Sequence, residues 1–140
     1  MNTSALYIGI DQQIAAMAAK INAPGKYLPT YQTSIDGAHP HIEIDAAGAY
    51  HLICVERGQE VNHQTTKDAD ELLYWVFSGV TFSMACDYEL KHRVPGKDFR
   101  RLLFSYQEEL LGSLSPAWRE REHAEHAKFL LTDPLDDSLF

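Results

Sequence analysis

The residue pattern predicts an α+β fold: an N-terminal helix, a three-stranded antiparallel meander, then three helices packed on the sheet. Three observations lead there. Apolar residues recur at steps of three and four at both ends of the chain, the spacing of a helix face. Between them lie short alternating or apolar runs, joined by links too short for a crossover, so neighbouring strands must run antiparallel. The 140 residues are 45% hydrophobic and 23% charged, ordinary values for a chain that closes one core, so residues 1–140 are expected to form a single domain.

The elements follow in order. Leu6, Ile10, Ile14, Met17 and Ile21 mark one face of a first helix, opened by Thr3 or Ser4 and stopped before Pro24-Gly25. From Lys26 to Pro40 a composition of Pro, Gly, Thr and Ser signals a loop, with Tyr27, Leu28 and Tyr31 as anchors. HIEID alternates as a half-buried strand. Tyr50 to Glu56 carries apolar side chains on both faces and is expected at the centre of three strands. Arg57-Gly58-Gln59 turns the chain into a third strand through Val61 and His63.

Asp68-x-x-Glu71 reads as a capping box before a long helix through Leu73, Phe77, Val80, Met84 and Tyr88, which Ser78-Gly79 could kink or divide. A second helix starts near Asp98 and closes at Gly112. A third takes Ser115 as cap with Pro116 behind it and runs to about Leu131. The last residues, including the acidic stretch 135–140, are expected to be a loosely held tail.

The charge narrows the function classes. Twenty Asp and Glu against twelve Lys and Arg give a net charge of −8, which argues against a nucleic-acid partner and suits a basic protein. The N-terminal stretch has no basic region and carries Asp11, unlike a signal peptide, and no run is long enough to span a membrane; a cytoplasmic protein is expected. Cys54 and Cys86 sit in apolar runs and read as core thiols.

No glycine-rich phosphate loop, GxSxG elbow or CxxC pair is present, so neither an enzyme nor a cofactor is expected. His123 and His126 share a helix face, but HAEHA lacks the base that a zinc hydrolase needs, and the adjoining charges describe a solvated face; no metal is expected there or at His39 and His41. Glu56, Glu89, Arg93, Arg100 and Arg101 are the densest polar group. They read first as ion pairs tying the scaffold together and second as an anion site or small enzyme centre. Arg100 and Arg101 oppose the dipole at a helix start and so need an acidic partner or a ligand. Tyr74, Trp75 and Phe82 fall off the apolar stripe of the long helix; any that stay exposed are candidate protein-contact anchors or a self-association surface.

The stretches YHLICVERGQE, TTKDADELLYWVFSGVTFSMACDYELKHR and DFRRLLFSYQEELLGSLSPAWRER together resemble the immunity protein 63 family of bacterial polymorphic toxin systems, over about Tyr50 to Pro134. The resemblance implies a non-enzymatic cytoplasmic protein that protects its producer by binding a toxin. The polar positions that carry it are Glu56, Arg57, Glu60, Asp70, Glu71, Tyr74, Trp75, Tyr88, Glu89, Arg93, Arg100, Arg101 and Trp118. On this reading the partner is a cognate toxin domain, and the chain's charge suits a basic one such as a nuclease. Asp68, Asp70 and Glu71, with Tyr74 and Trp75, form the candidate contact patch, and the remaining family positions are read as structural.

Overall fold

The computed structural model describes residues 5–140, so Thr3 and Ser4, the expected helix start, lie outside the described residues. The chain divides into two compact units, one ending at Phe77 and one running Ser78–Phe140.

The first unit holds helix α1 (Ala5–Lys20), strands β1 (Thr30–Tyr31), β2 (Pro40–Ile44), β3 (Tyr50–Glu56) and β4 (Gln59–Thr66), and the opening of helix α2 (Ala69–Lys91). The buried side of α1 is Tyr7, Ile10, Ile14 and Ala18, continued by Ile21; Leu6 is exposed and Met17 only half-buried. The stripe expected from Leu6 and Met17 is therefore turned by one residue. Its cause is polar: the Tyr7 hydroxyl accepts the Ile44 amide at 3.0 Å, and its ring meets Tyr31 edge-on at 5.8 Å.

The sheet has four strands in the order β1-β2-β3-β4, not three. The extra one lies inside the expected loop, where Thr30 and Tyr31 pair in parallel with His41 and Ile42, so the sheet is mixed rather than an antiparallel meander throughout. The antiparallel β2-β3-β4 part agrees with the sequence, and β3 is flanked on both sides. Leu52 and Ile53, on opposite faces of β3, are both buried. Asp45 shapes the first turn by accepting the Ala47 and Ala49 amides. The second turn is Arg57-Gly58, both at positive φ, the twist that suits a two-residue hairpin. Its amides are held by Asp36, whose carboxylate accepts from Arg57 at 3.1 Å and from Gly58 at 3.3 Å. The β3-β4 register slips between Cys54 and Val55: Cys54 faces Asn62 while Val55 faces Glu60, leaving Val61 as the unpaired residue of a bulge.

Helix α2 opens with Asp68 Oδ1 accepting the Asp70 amide at 2.9 Å, a cap bond to the second helical residue where the expected box would use the third, Glu71. It is continuous through Ser78-Gly79. The second unit contains its later part, helix α3 (Phe99–Leu114), helix α4 (Pro116–Thr132) and a final 3-10 turn (Asp137–Leu139). α3 runs past Gly112 to Leu114, because α4 follows at once on the Ser115 cap, whose hydroxyl accepts the Trp118 amide at 3.2 Å. Trp118, Leu103 and Leu111 are buried.

The acidic tail is pinned, contrary to the loose tail expected. The Asp98 carboxylate accepts the Asp136 amide at 3.1 Å, while Asp137 Oδ1 accepts the Asp98 amide at 2.7 Å. Phe140 meets Phe99 edge-on at 5.6 Å.

Candidate functional site

In the first unit, Asp68 and Asp70 are exposed and Glu71 half-buried on the first turn of α2, where negative charge also favours the helix. Trp75 is half-buried and Tyr74 buried, so Tyr74 supports this patch rather than presenting a contact. Glu56, Arg57 and Glu60 are exposed around the β3-β4 turn.

Of the arginine–carboxylate group, Glu56 belongs to the first unit and the other four to the second. Within the second unit, Arg93, Arg100 and Arg101 each pair with a different carboxylate. Glu89, 3% exposed, takes a two-pronged bond from Arg93, at 2.9 Å from Nε and 2.7 Å from Nη2. Those bonds hold its carboxyl below the usual range and raise Arg93. Arg100 grips the buried Asp98 with Nε at 3.1 Å and Nη2 at 2.8 Å, and reaches the Asp133 and Pro134 carbonyls as well. The guanidinium holds Asp98 well below the ordinary carboxylate range. Arg101 pairs with Asp137 through Nε and Nη2. Each guanidinium at a helix start thus has the acidic partner the dipole argument demands, Arg100 from the cap residue Asp98 and Arg101 from Asp137 of the tail. Tyr88 stacks on Tyr106 at 3.9 Å and on His92 at 4.0 Å, a scaffold role.

The second unit holds an apolar cleft of about 860 Å³ among α2, α3 and α4. Phe82 (47% exposed) and Phe129 (49% exposed) stand on its rim and Phe104 lines it. Of the three aromatics off the α2 stripe, Phe82 is the exposed one. Phe129 escapes sequence reading, because α4 has no clear apolar stripe to make an extra aromatic conspicuous.

The cleft has a polar floor. Gln107 Nε2 donates to the Ser78 carbonyl at 3.0 Å, which turns its Oε1 toward His126 Nε2 at 2.9 Å. His126 Nδ1 meets Glu108 Oε2 at 2.7 Å, and the ring lies flat on Phe104 at 4.0 Å. His123 takes the other Glu108 oxygen at 2.9 Å. Glu122 accepts from the Ser78 hydroxyl at 2.6 Å. The pair three apart on α4 therefore converges on a carboxylate of α3, which is a fastening between helices.

Four helices and a four-stranded mixed sheet make this a small acidic α+β protein. The family model of immunity protein 63 matches residues 46–128, well over half of the 140 residues. The chain belongs to the immunity protein 63 family. The match begins at the β2-β3 turn and ends within α4, close to the Tyr50 to Pro134 of the resemblance. No curated protein and no solved structure matches the chain. No helix among the described residues is long and apolar enough to cross a membrane.

Proposed function

We propose that this protein binds a toxin domain encoded beside it in a bacterial polymorphic toxin system and neutralises it by covering the active site or substrate groove. The observation that carries the reading is membership in the immunity protein 63 family over residues 46–128. It acts in the producing cell's cytoplasm, without catalysis of its own and without a cofactor. A net charge of −8 speeds encounter with a basic toxin such as a nuclease, whose phosphate-binding groove acidic side chains can enter.

Two surfaces suit the contact: the Asp68, Asp70 and Glu71 turn beside Trp75, and the aromatic rim of the cleft at Phe82 and Phe129. Exposed aromatics around a concavity are the anchors that protein interfaces favour. An anion-binding or enzymatic use of Arg93, Arg100 and Arg101 is disfavoured by the carboxylate already on each.

Co-expression with the adjacent toxin gene tests the reading. Cells carrying both genes grow, and cells carrying the toxin alone die. Equal death in the two cultures ends the proposal.

A further inference from the structure

The face of the sheet that carries His51 and His63 holds a chain of four side chains that the toxin-binding reading does not use. His51 Nε2 lies 2.8 Å from Asp45 Oδ2, His63 Nδ1 lies 2.9 Å from Glu60 Oε1, and the two remaining ring nitrogens, His51 Nδ1 and His63 Nε2, face each other at 2.8 Å. Carboxylates accept only, so each outer nitrogen carries a hydrogen and donates it. Two neutral imidazoles would then point two lone pairs at one spot, so the 2.8 Å approach requires a shared proton or another cation between them. Thr65 Oγ1 stands at 3.1 Å from the same His51 nitrogen.

We propose that the His51–His63 pair is a binding site for a divalent transition-metal ion of the zinc class, with the ion in place of a shared proton. Imidazole nitrogens are ligands of choice for such ions, and a carboxylate on the far nitrogen of each ring is the outer support that fixes tautomer and orientation at metal-bound histidines. Both rings have that support here. Zinc–nitrogen bonds of about 2.0–2.1 Å set two tetrahedral ligands roughly 3.3 Å apart, so the rings need part only by about half an ångström.

The backbone is arranged for it. His51 faces Thr65 and His63 faces Ile53 in the β3-β4 register, which makes the histidines diagonal neighbours on one face. Glu60 is an odd number of residues from His63 and in a regular strand would point away. The bulge at Val61 inserts the extra residue that returns it to the histidine face, opposite Val55. The pair is reachable, with side chains 22% and 37% exposed. Among the described residues no three His, Cys, Asp or Glu converge on one ion. The site therefore has two protein ligands, with open positions for water or for a group from a bound partner.

The test uses the full chain without a histidine tag, titrated with zinc chloride against a chromophoric chelator at pH 7.5. One ion binds per chain, and His51→Ala or His63→Ala each lowers the affinity at least tenfold. Glu60→Gln and Asp45→Asn lower it about 10–100-fold. His123→Ala, which removes an exposed histidine of the second unit, leaves it unchanged. If a histidine variant fails to fold, nitrogen-15 spectra of the wild-type histidine rings decide instead: zinc shifts His51 Nδ1 and His63 Nε2 ahead of all other ring nitrogens. Absence of stoichiometric binding, retention of affinity in the double histidine variant, or shifts confined to other histidines each overturns the proposal.

Discussion

Replacing Asp98 tests how the second unit holds together. Its side chain is 1% exposed and accepts four hydrogen bonds: the Arg100 amide and Nε on one oxygen, Arg100 Nη2 and the Asp136 amide on the other. One of these is the cap of α3, worth about 0.5–2 kcal/mol. Stranding a buried partner charge costs about 3–5 kcal/mol, and Arg100 retains Asp133 at 3.2 Å and two carbonyls, which places the loss at the low end. Because these contributions overlap, Asp98→Ala is expected to cost about 3–4 kcal/mol in urea unfolding. Asp98→Asn keeps a capping oxygen but turns its amide nitrogen toward two donors, and should cost about 2 kcal/mol. The same variants should free the C-terminus to carboxypeptidase. The folded-state pKa of Asp98 is shifted downward, so its contribution is complete above the unfolded carboxylate value of about 3.9 and is lost as pH falls toward the folded value. The gap between wild type and Asp98→Ala should hold steady from pH 7 to about 5 and shrink below about 4. A cost under about 1 kcal/mol for alanine, or a larger cost for asparagine than for alanine, would refute the assignment of Asp98 as the hub.

Two further outcomes follow from single residues. Gly79 lies inside α2, and a methyl group added to it would meet no atom within 4 Å, so Gly79→Ala should stabilise by about 0.5–1 kcal/mol, read as a higher urea midpoint; a lower midpoint contradicts it. Burial raises the pKa of the Cys54 and Cys86 thiols, and the charges of Asp87 and Glu89 raise that of Cys86 further. Both thiols should react with an aromatic disulfide reagent more slowly than free cysteine at pH 7 and accelerate as pH rises, whereas rates equal to free cysteine would contradict the burial argument.

What the sequence revealed and what it hid divide along physical lines. Features set by neighbours in the chain were legible: the Ser115-Pro116 start of α4, the start of α3 near Asp98, the β2-β3-β4 order, the long helical run of α2. Those set by distant partners were not. β1 is two residues long and has no alternation to display; it exists because β2 offers an edge. The one-residue turn of the α1 face follows from a tyrosine hydroxyl that finds an amide in β2. Arg100 has its counter-charge two residues away in Asp98, but the partner of Arg101, Asp137 of the tail, is 36 residues on, and only the fold joins them. The chain Asp45–His51–His63–Glu60 is hidden more deeply, since strand alternation assigns Glu60 to the wrong face until the bulge is known.

If the toxin uses both candidate surfaces, their contributions differ in kind. Exposed carboxylates at Asp68 and Asp70 act over a distance, so they govern the rate of encounter and are screened by salt. Phe82 acts only once it is covered, so it governs the lifetime of the complex. With an inactivated toxin domain on a biosensor surface, Asp68→Asn with Asp70→Asn should slow association several-fold at low salt and by nothing measurable near 0.5 M, dissociation being unchanged. Asparagine keeps the helix cap, which removes unfolding as an explanation. Phe82→Ala should cost about 2 kcal/mol, a roughly 30-fold faster dissociation that salt does not alter. Unchanged dissociation in Phe82→Ala would take that cleft residue out of the interface. An unchanged association rate in the acidic variant would do the same for the first turn of α2, and the charge of −8 would then serve solubility alone.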